Sequence, residues 1–118
     1  MFEARVLAVF ALLTRAAKER RLVTYVELAE GVKCHHHAEL ARLLDCIADL
    51  CKDHEYPPLT ALAISQENLL PGKGIWTLFP EIQEGEKDRR WAEMVREVYL
   101  FDWGKVPRKL FDSEDENR

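Results

Sequence analysis

Few cysteines, no excess of basic residues and no apolar run of bilayer length are the first constraints on this 118-residue chain. Cys34, Cys46 and Cys51 are odd in number and lack the paired spacing of a zinc ribbon, which suits reduced thiols in a cytoplasmic protein. The apolar run at residues 6–13 is too short to span a membrane. It has the length of a signal-peptide core, and Ala16-Ala17 follows it. However, Glu3 and Arg5 cancel ahead of it and Lys18-Glu19-Arg20-Arg21 comes straight after, so it reads as a buried first helix with no membrane partner. No internal repeat is visible, and only the tail Asp112-Ser113-Glu114-Asp115-Glu116 is of low complexity. A formal charge of −4, with the acid excess mostly in the C-terminal half, excludes a polyanion-binding surface over the whole molecule. A local basic patch stays compatible with it.

Chemical motifs are equally sparse. Pro71-Gly72-Lys73-Gly74 lacks the Gly-x-x-x-x-Gly-Lys-Ser/Thr spacing of a phosphate cradle and leads into strand-like sequence, so it reads as a tight turn. No Ser/His/Asp arrangement stands out, and Glu27 and Asp102 are isolated carboxylates. The cluster Lys33-Cys34-His35-His36-His37, with Cys46, Cys51 and His54 downstream, holds metal-ligand residue types. Cys51 nevertheless falls on an apolar stripe with Leu44 and Ile47, where a thiol behaves as a small core side chain. The expectation is therefore a non-enzymatic protein with no metal and no cofactor.

What the chain does contain is helical periodicity and one clear helix start. With 47% apolar and 32% charged residues it reads as a single globular domain over 1–107, followed by a flexible acidic tail at 108–118. Residues 2–20 place Val6, Val9, Phe10, Leu13 and Ala17 on one helical face. Leu22-Val23 reads as a minimal strand. Thr24 and Glu27 then have capping-box spacing, which starts a second helix at Tyr25, and Gly31 is expected to end it. A third helix is expected over about 35–54, with Leu40, Leu43, Leu44, Ile47, Leu50, Cys51 and His54 inward and Glu39, Arg42, Asp45, Asp49 and Asp53 outward. Pro57-Pro58 forbids its continuation. Strands are expected at 59–65 and 75–79, joined by a turn-rich loop as a β-hairpin, and a last helix at 89–100. The predicted fold is α+β and winged-helix-like, in the order helix, short strand, helix, helix, β-hairpin, helix.

The segment Val23-Thr24-Tyr25-Val26-Glu27-Leu28-Ala29 resembles the Thr-Tyr-Gly-x-hydrophobic-Ala signature in the DNA-binding domain of alkylguanine DNA alkyltransferases and their inert relatives. The resemblance covers roughly residues 22–76 and implies a winged-helix domain that contacts DNA. That family carries its reactive thiol in a Pro-Cys-His-Arg motif. Here Ala63-Ile64-Ser65-Gln66 stands in the comparable region and Val26 replaces the glycine, so the resemblance does not extend to alkyl transfer. Residues 57–62, 70–74 and 98–103 are also similar to segments of small uncharacterised bacterial proteins, which implies one domain and no activity.

Two surfaces follow. The start of a recognition helix meets DNA through its first residues, so Lys33, His35, His36 and Arg42, with Lys73 on the wing, are the candidate contacts of a small bacterial or mobile-element DNA-binding regulator. The alternative is a protein-binding adaptor or inhibitor of host or phage machinery, which uses Asp45, Asp49 and Asp53 together with the acidic tail. Phe101 and Trp103 share a face of an extended segment, and either clamp the C-terminus to the domain or serve such a partner as an aromatic anchor.

Overall fold

The computed structural model describes residues 2–34, 36–72 and 74–106. The tail expected at 108–118 lies outside them, as do His35 and Lys73. The first helix, α1 (Phe2–Lys18), buries Val6, Val9, Phe10, Leu13, Ala16 and Ala17 on the face its periodicity assigns. A two-residue strand, β1 (Val23–Thr24), leads into α2 (Tyr25–Val32), and α3 (His37–Asp53) follows after a four-residue connection. Leu40, Leu43, Ile47 and Cys51 of α3 pack in the main core, where α3 lies against α1 and the turn at 59–62, whereas His54, expected inward, lies exposed beyond the helix end.

The first three helices end alike. Arg20, Lys33 and Glu55 adopt left-handed backbone, with φ of 56°, 57° and 60°. The following amide then donates five residues back: Arg21 to the Ala16 carbonyl at 3.0 Å, Cys34 to Ala29 at 2.9 Å and Tyr56 to Cys51 at 2.8 Å. This is the Schellman closure, built here on non-glycine residues. It corrects the expectation that Gly31 ends α2. Gly31 is helical, and a Cβ on it would stand 2.7 Å from Leu12 Cδ1, so its bare backbone serves the close approach of α2 to α1.

The sheet also differs from expectation. β1 pairs in parallel with β2 (Ala63–Ile64), Val23 opposite Ala63 and Thr24 opposite Ile64. Residues 59–62 form a 3₁₀ turn with all four side chains buried, which suits the turn conformation fixed by Pro57-Pro58 better than a two-faced strand. Residues 75–79 return as a helical turn, α4 (Gly74–Thr77), so the expected β-hairpin does not form. The physical reason lies at the sheet edge. β1 occupies one side of β2, and on the other Ile64 forms a single bridge with Pro71, which has no N–H to extend a ladder. The Thr77 hydroxyl instead donates to the Gly74 carbonyl at 2.7 Å, and Lys52 Nζ donates to the Leu78 carbonyl at 3.1 Å.

The last helix, α5 (Lys87–Leu100), closes a second apolar cluster of Ala61, Ile75, Ile82 and Met94, and Trp91 Nε1 donates to the Ala61 carbonyl at 2.8 Å. The chain is thus an α+β domain, mostly helical, with one short parallel pair. No helix among the described residues is long and apolar enough to cross a membrane.

Replacing Arg20, Lys33 or Glu55 by Gly removes the Cβ penalty of left-handed backbone, opposed by glycine's larger unfolded-state entropy. Each substitution is expected to stabilise the fold by about 0.5–1 kcal/mol. Urea unfolding of the three single variants and the triple variant measures this, with near-additive gains expected because the three helix ends close on separate carbonyls.

Candidate nucleic-acid interface and the adjoining cleft

The amino end of α3 is set by the helix before it. Thr24 caps α2 reciprocally: the Glu27 amide donates to Thr24 Oγ1 at 3.1 Å, and the Thr24 amide donates to Glu27 Oε1 at 2.8 Å. The left-handed Lys33 then turns the chain, and Cys34 anchors the connection. It is 1% exposed, with its Sγ 3.6 Å from the His36 carbonyl and 3.5 Å from Glu39 Oε1. His36 occupies the N-cap of α3 without a side-chain hydrogen bond, so among the described residues no N-cap side chain covers the first-turn amides.

Charge is distributed unevenly around this end. Lys33, His36, His37 and Arg42 are exposed. Glu39, expected on the outer face, is instead half-buried and paired with Arg5 of α1, so its charge is compensated. Asp45, Asp49 and Asp53 are exposed further along α3. Among the described residues none of Arg42, Asp45 and Asp49 has an ion-pair partner. Arg42 thus lies in the amino-terminal half of α3 and the exposed carboxylates beyond it, while Lys52 in the last turn is held by the Leu78 carbonyl. This arrangement favours an anion at the tip and disfavours one laid along the ridge. His35 and Lys73, the other two candidate DNA contacts, lie outside the described residues.

The two aromatic candidates form a clamp. Trp103 is 5% exposed and its Nε1 donates to the Val98 carbonyl at 2.9 Å. Its ring centroid stands 4.5 Å from that of Phe101, 6.1 Å from Phe10 and 6.2 Å from Tyr56. Trp103 is thus spent on the core, and the half-buried Phe101 is packed against it and Tyr56. The anchor alternative for Trp103 gives way to the clamp, because a buried indole offers a partner no face.

Beside α3 lies a cleft of about 280 Å³, bounded by α3, Tyr25, Thr60, Ala63, Pro71, Gly72 and the start of α4. Tyr25 Oη accepts the Gly72 amide at 2.6 Å, which fixes the loop over the first turn of α2. Burial raises the Tyr25 phenol above its ordinary value, and the Gly72 hydrogen bond opposes that rise. The sequence reading missed this cleft. Its signals are Tyr25, small residues at Ala41 and Ala48, seven residues apart on α3, and the glycines flanking residue 73. None of these has a pattern that singles it out.

The thiols are poorly placed for transfer chemistry. None of the three is in a disulfide, and Cys34 and Cys51 are buried. Burial pushes the Cys51 thiol from 9.0 up to about 11, against a smaller opposing hydrogen bond from the Leu59 backbone, so it stays a neutral thiol near pH 7. Among the described residues no group of His, Cys, Asp and Glu is gathered to hold a metal ion. No protein-family model, curated protein or solved structure matches the chain.

Two outcomes are expected. A Cβ at Gly72 would stand 2.5 Å from Tyr25 Oη. Gly72→Ala is therefore expected to cost about 1–3 kcal/mol, and less than that in a Tyr25→Phe background, as a double-mutant cycle in urea would read. The raised Cys51 thiol stabilises the fold fully below pH 9, and this contribution is lost as pH rises toward 11, because the unfolded thiol ionises first. The loss is about 2–3 kcal/mol. Tyr25 and Tyr99, also raised by burial, act in the same direction at higher pH. Unfolding at pH 8 and 10.5 should show the decline, with a shallower slope in Cys51→Ala.

Proposed function

We infer that the chain is a non-enzymatic DNA-binding module that meets the phosphate backbone of duplex DNA with the amino end of α3. The observation that carries this reading is the first turn of α3, without a side-chain cap from His36, with Lys33, His36, His37 and Arg42 exposed just before and within the first two turns and Glu39 withdrawn into its pair with Arg5. Free helix amides and nearby cations are complementary to phosphate. The order of α2, tight connection and α3 agrees with a helix–turn–helix, and so with the resemblance at residues 23–29. In a winged-helix arrangement the loop 65–72 takes the place of the wing, closed by Ser65 and Leu70 rather than by a hairpin. A small regulator of bacterial or mobile-element type fits this size and charge.

The exposed carboxylates Asp45, Asp49 and Asp53 confine DNA to the helix tip, so few phosphates are engaged. They also favour the second reading, an adaptor whose protein partner presents a basic face to this ridge.

Fluorescence anisotropy of a labelled pool of genomic duplex fragments tests the first reading. With two to three phosphates engaged, the log–log salt slope is expected at about −2 to −3. Lys33→Ala and Arg42→Ala should each reduce its magnitude by about 0.9. Absence of binding at low salt defeats the DNA reading. Co-purification of a basic protein that is lost in Asp45→Asn/Asp49→Asn would then support the adaptor.

A further inference from the structure

Four non-glycine residues hold left-handed backbone among the described residues. Arg20, Lys33 and Glu55 are charged and close helices, whereas Leu69, with φ 59°, is apolar and lies on the loop between β2 and α4. A side chain is disfavoured in that conformation, and the interior gives this one nothing in return. Leu69 is 60% exposed and belongs to neither apolar cluster. Local hydrogen bonds nevertheless hold it in place. Its amide donates to the Ser65 carbonyl at 2.7 Å, the Ser65 amide to the Leu70 carbonyl at 2.9 Å, and the Leu70 amide to Asn68 Oδ1 at 3.0 Å. The loop therefore presents a leucine to solvent in a fixed position.

A second cleft, of about 680 Å³, opens beside it. Leu70, Pro71, Trp76 and Trp91 form its apolar wall and Asn68 also lines it, so both chain neighbours of Leu69 border the cleft while Leu69 does not. Projection and receptor thus lie side by side on one surface, and the projection does not fill its own receptor. The rim carries both signs. Lys87 stands over Trp76, its Nζ 5.6 Å from the ring centroid, and pairs with Glu84 at 2.9 Å. Asp88, also on the rim, is exposed and has no ion-pair partner among the described residues.

We propose that this patch is a two-fold interface with a second copy of the chain, in which Leu69 of each protomer enters the Trp76–Trp91 cleft of the other. A patch that holds both a projection and its receptor is complementary to itself. A two-fold axis between them satisfies both contacts at once and leaves no further site open, so assembly stops at the dimer. The rim fits the same occupant: the unpaired Asp88 of one copy meets Lys87 of the other, whereas a partner of uniform charge leaves one sign opposed. Exposed apolar surface is limited here to Leu69 and Leu70, which places the interface at the small, weak end of its class. The dimer does not rest on the DNA reading, whose cations lie around α3, and its test contains no nucleic acid.

Sedimentation equilibrium of the full chain over about 10 µM to 1 mM is the first measurement, with a monomer–dimer constant expected on the order of 0.1 mM. Leu69→Gly should weaken the dimer about tenfold or more. The same variant relieves the left-handed backbone, so its urea midpoint should not fall, which separates loss of contact from loss of fold. Asp88→Lys, which sets like charges across the axis, should weaken the dimer several-fold. In a mixture of isotope-labelled and unlabelled chains, filtered NOEs are expected between the Leu69 methyls of one copy and the Trp76 ring of the other. The proposal is overturned if the chain stays monomeric throughout, even where a different protein is found to cover the patch. It is equally overturned if either variant dimerises as well as the unaltered chain, or if a dimer forms without those NOEs.

Discussion

The pairing of Val23-Thr24 with Ala63-Ile64 is the constraint on which the candidate surface at α3 depends. It is only two residues long, but it joins segments forty residues apart and fixes what lies on either side. Thr24 ends the strand and caps α2 at the same time, so the register of the pair sets the direction of α2 and hence the tip of α3. On the far side, Ile64 bridges to Pro71, and the next residue, Gly72, donates to the Tyr25 hydroxyl. Tyr25 is the residue after Thr24, so the network closes on itself. A short sheet is enough because its ends are held by side chains and by helix starts rather than by more ladder.

Electrostatics then divides one helix into two surfaces. Arg5 reaches from α1 to Glu39, and the acid nearest the α3 tip is thereby compensated. The remaining carboxylates begin at Asp45, about two turns on. The separation is a matter of helix pitch, at about 1.5 Å per residue. It makes the tip and the ridge distinct in sign although their charges look mixed when read along the chain.

How much of this was legible depended on the range of the interaction. The Thr24–Glu27 box was read correctly because both partners lie within one helical turn, and the core faces of α1 and α3 followed from periodicity. The helix ends at Arg20, Lys33 and Glu55 were illegible, since the usual glycine signal is absent and Gly31 carries it in the wrong place. Residues 75–79 have β-prone side chains, but a strand needs a neighbour, and Pro71 had removed it. The cleft was hidden for a similar reason. Tyr25, Asp45, Thr60 and Gly72 lie on four separate segments, which meet only once those have packed. The candidate DNA contacts Lys33, His36 and Arg42 were legible as polar residues near a helix start, whereas the withdrawal of Glu39 required knowing that Arg5 lies opposite.

The aromatic clamp has a consequence for synthesis. Phe10 leaves the ribosome well before Trp103, whose ring it meets in a T-shaped contact. Until then, the apolar face of α1 and the ring of Tyr56 lack their closing partner. The nascent chain therefore carries an incomplete core from the synthesis of α1 until residue 103 has emerged, and sealing comes as one late event. A C-terminal truncation a few residues inside the clamp would leave that state permanent.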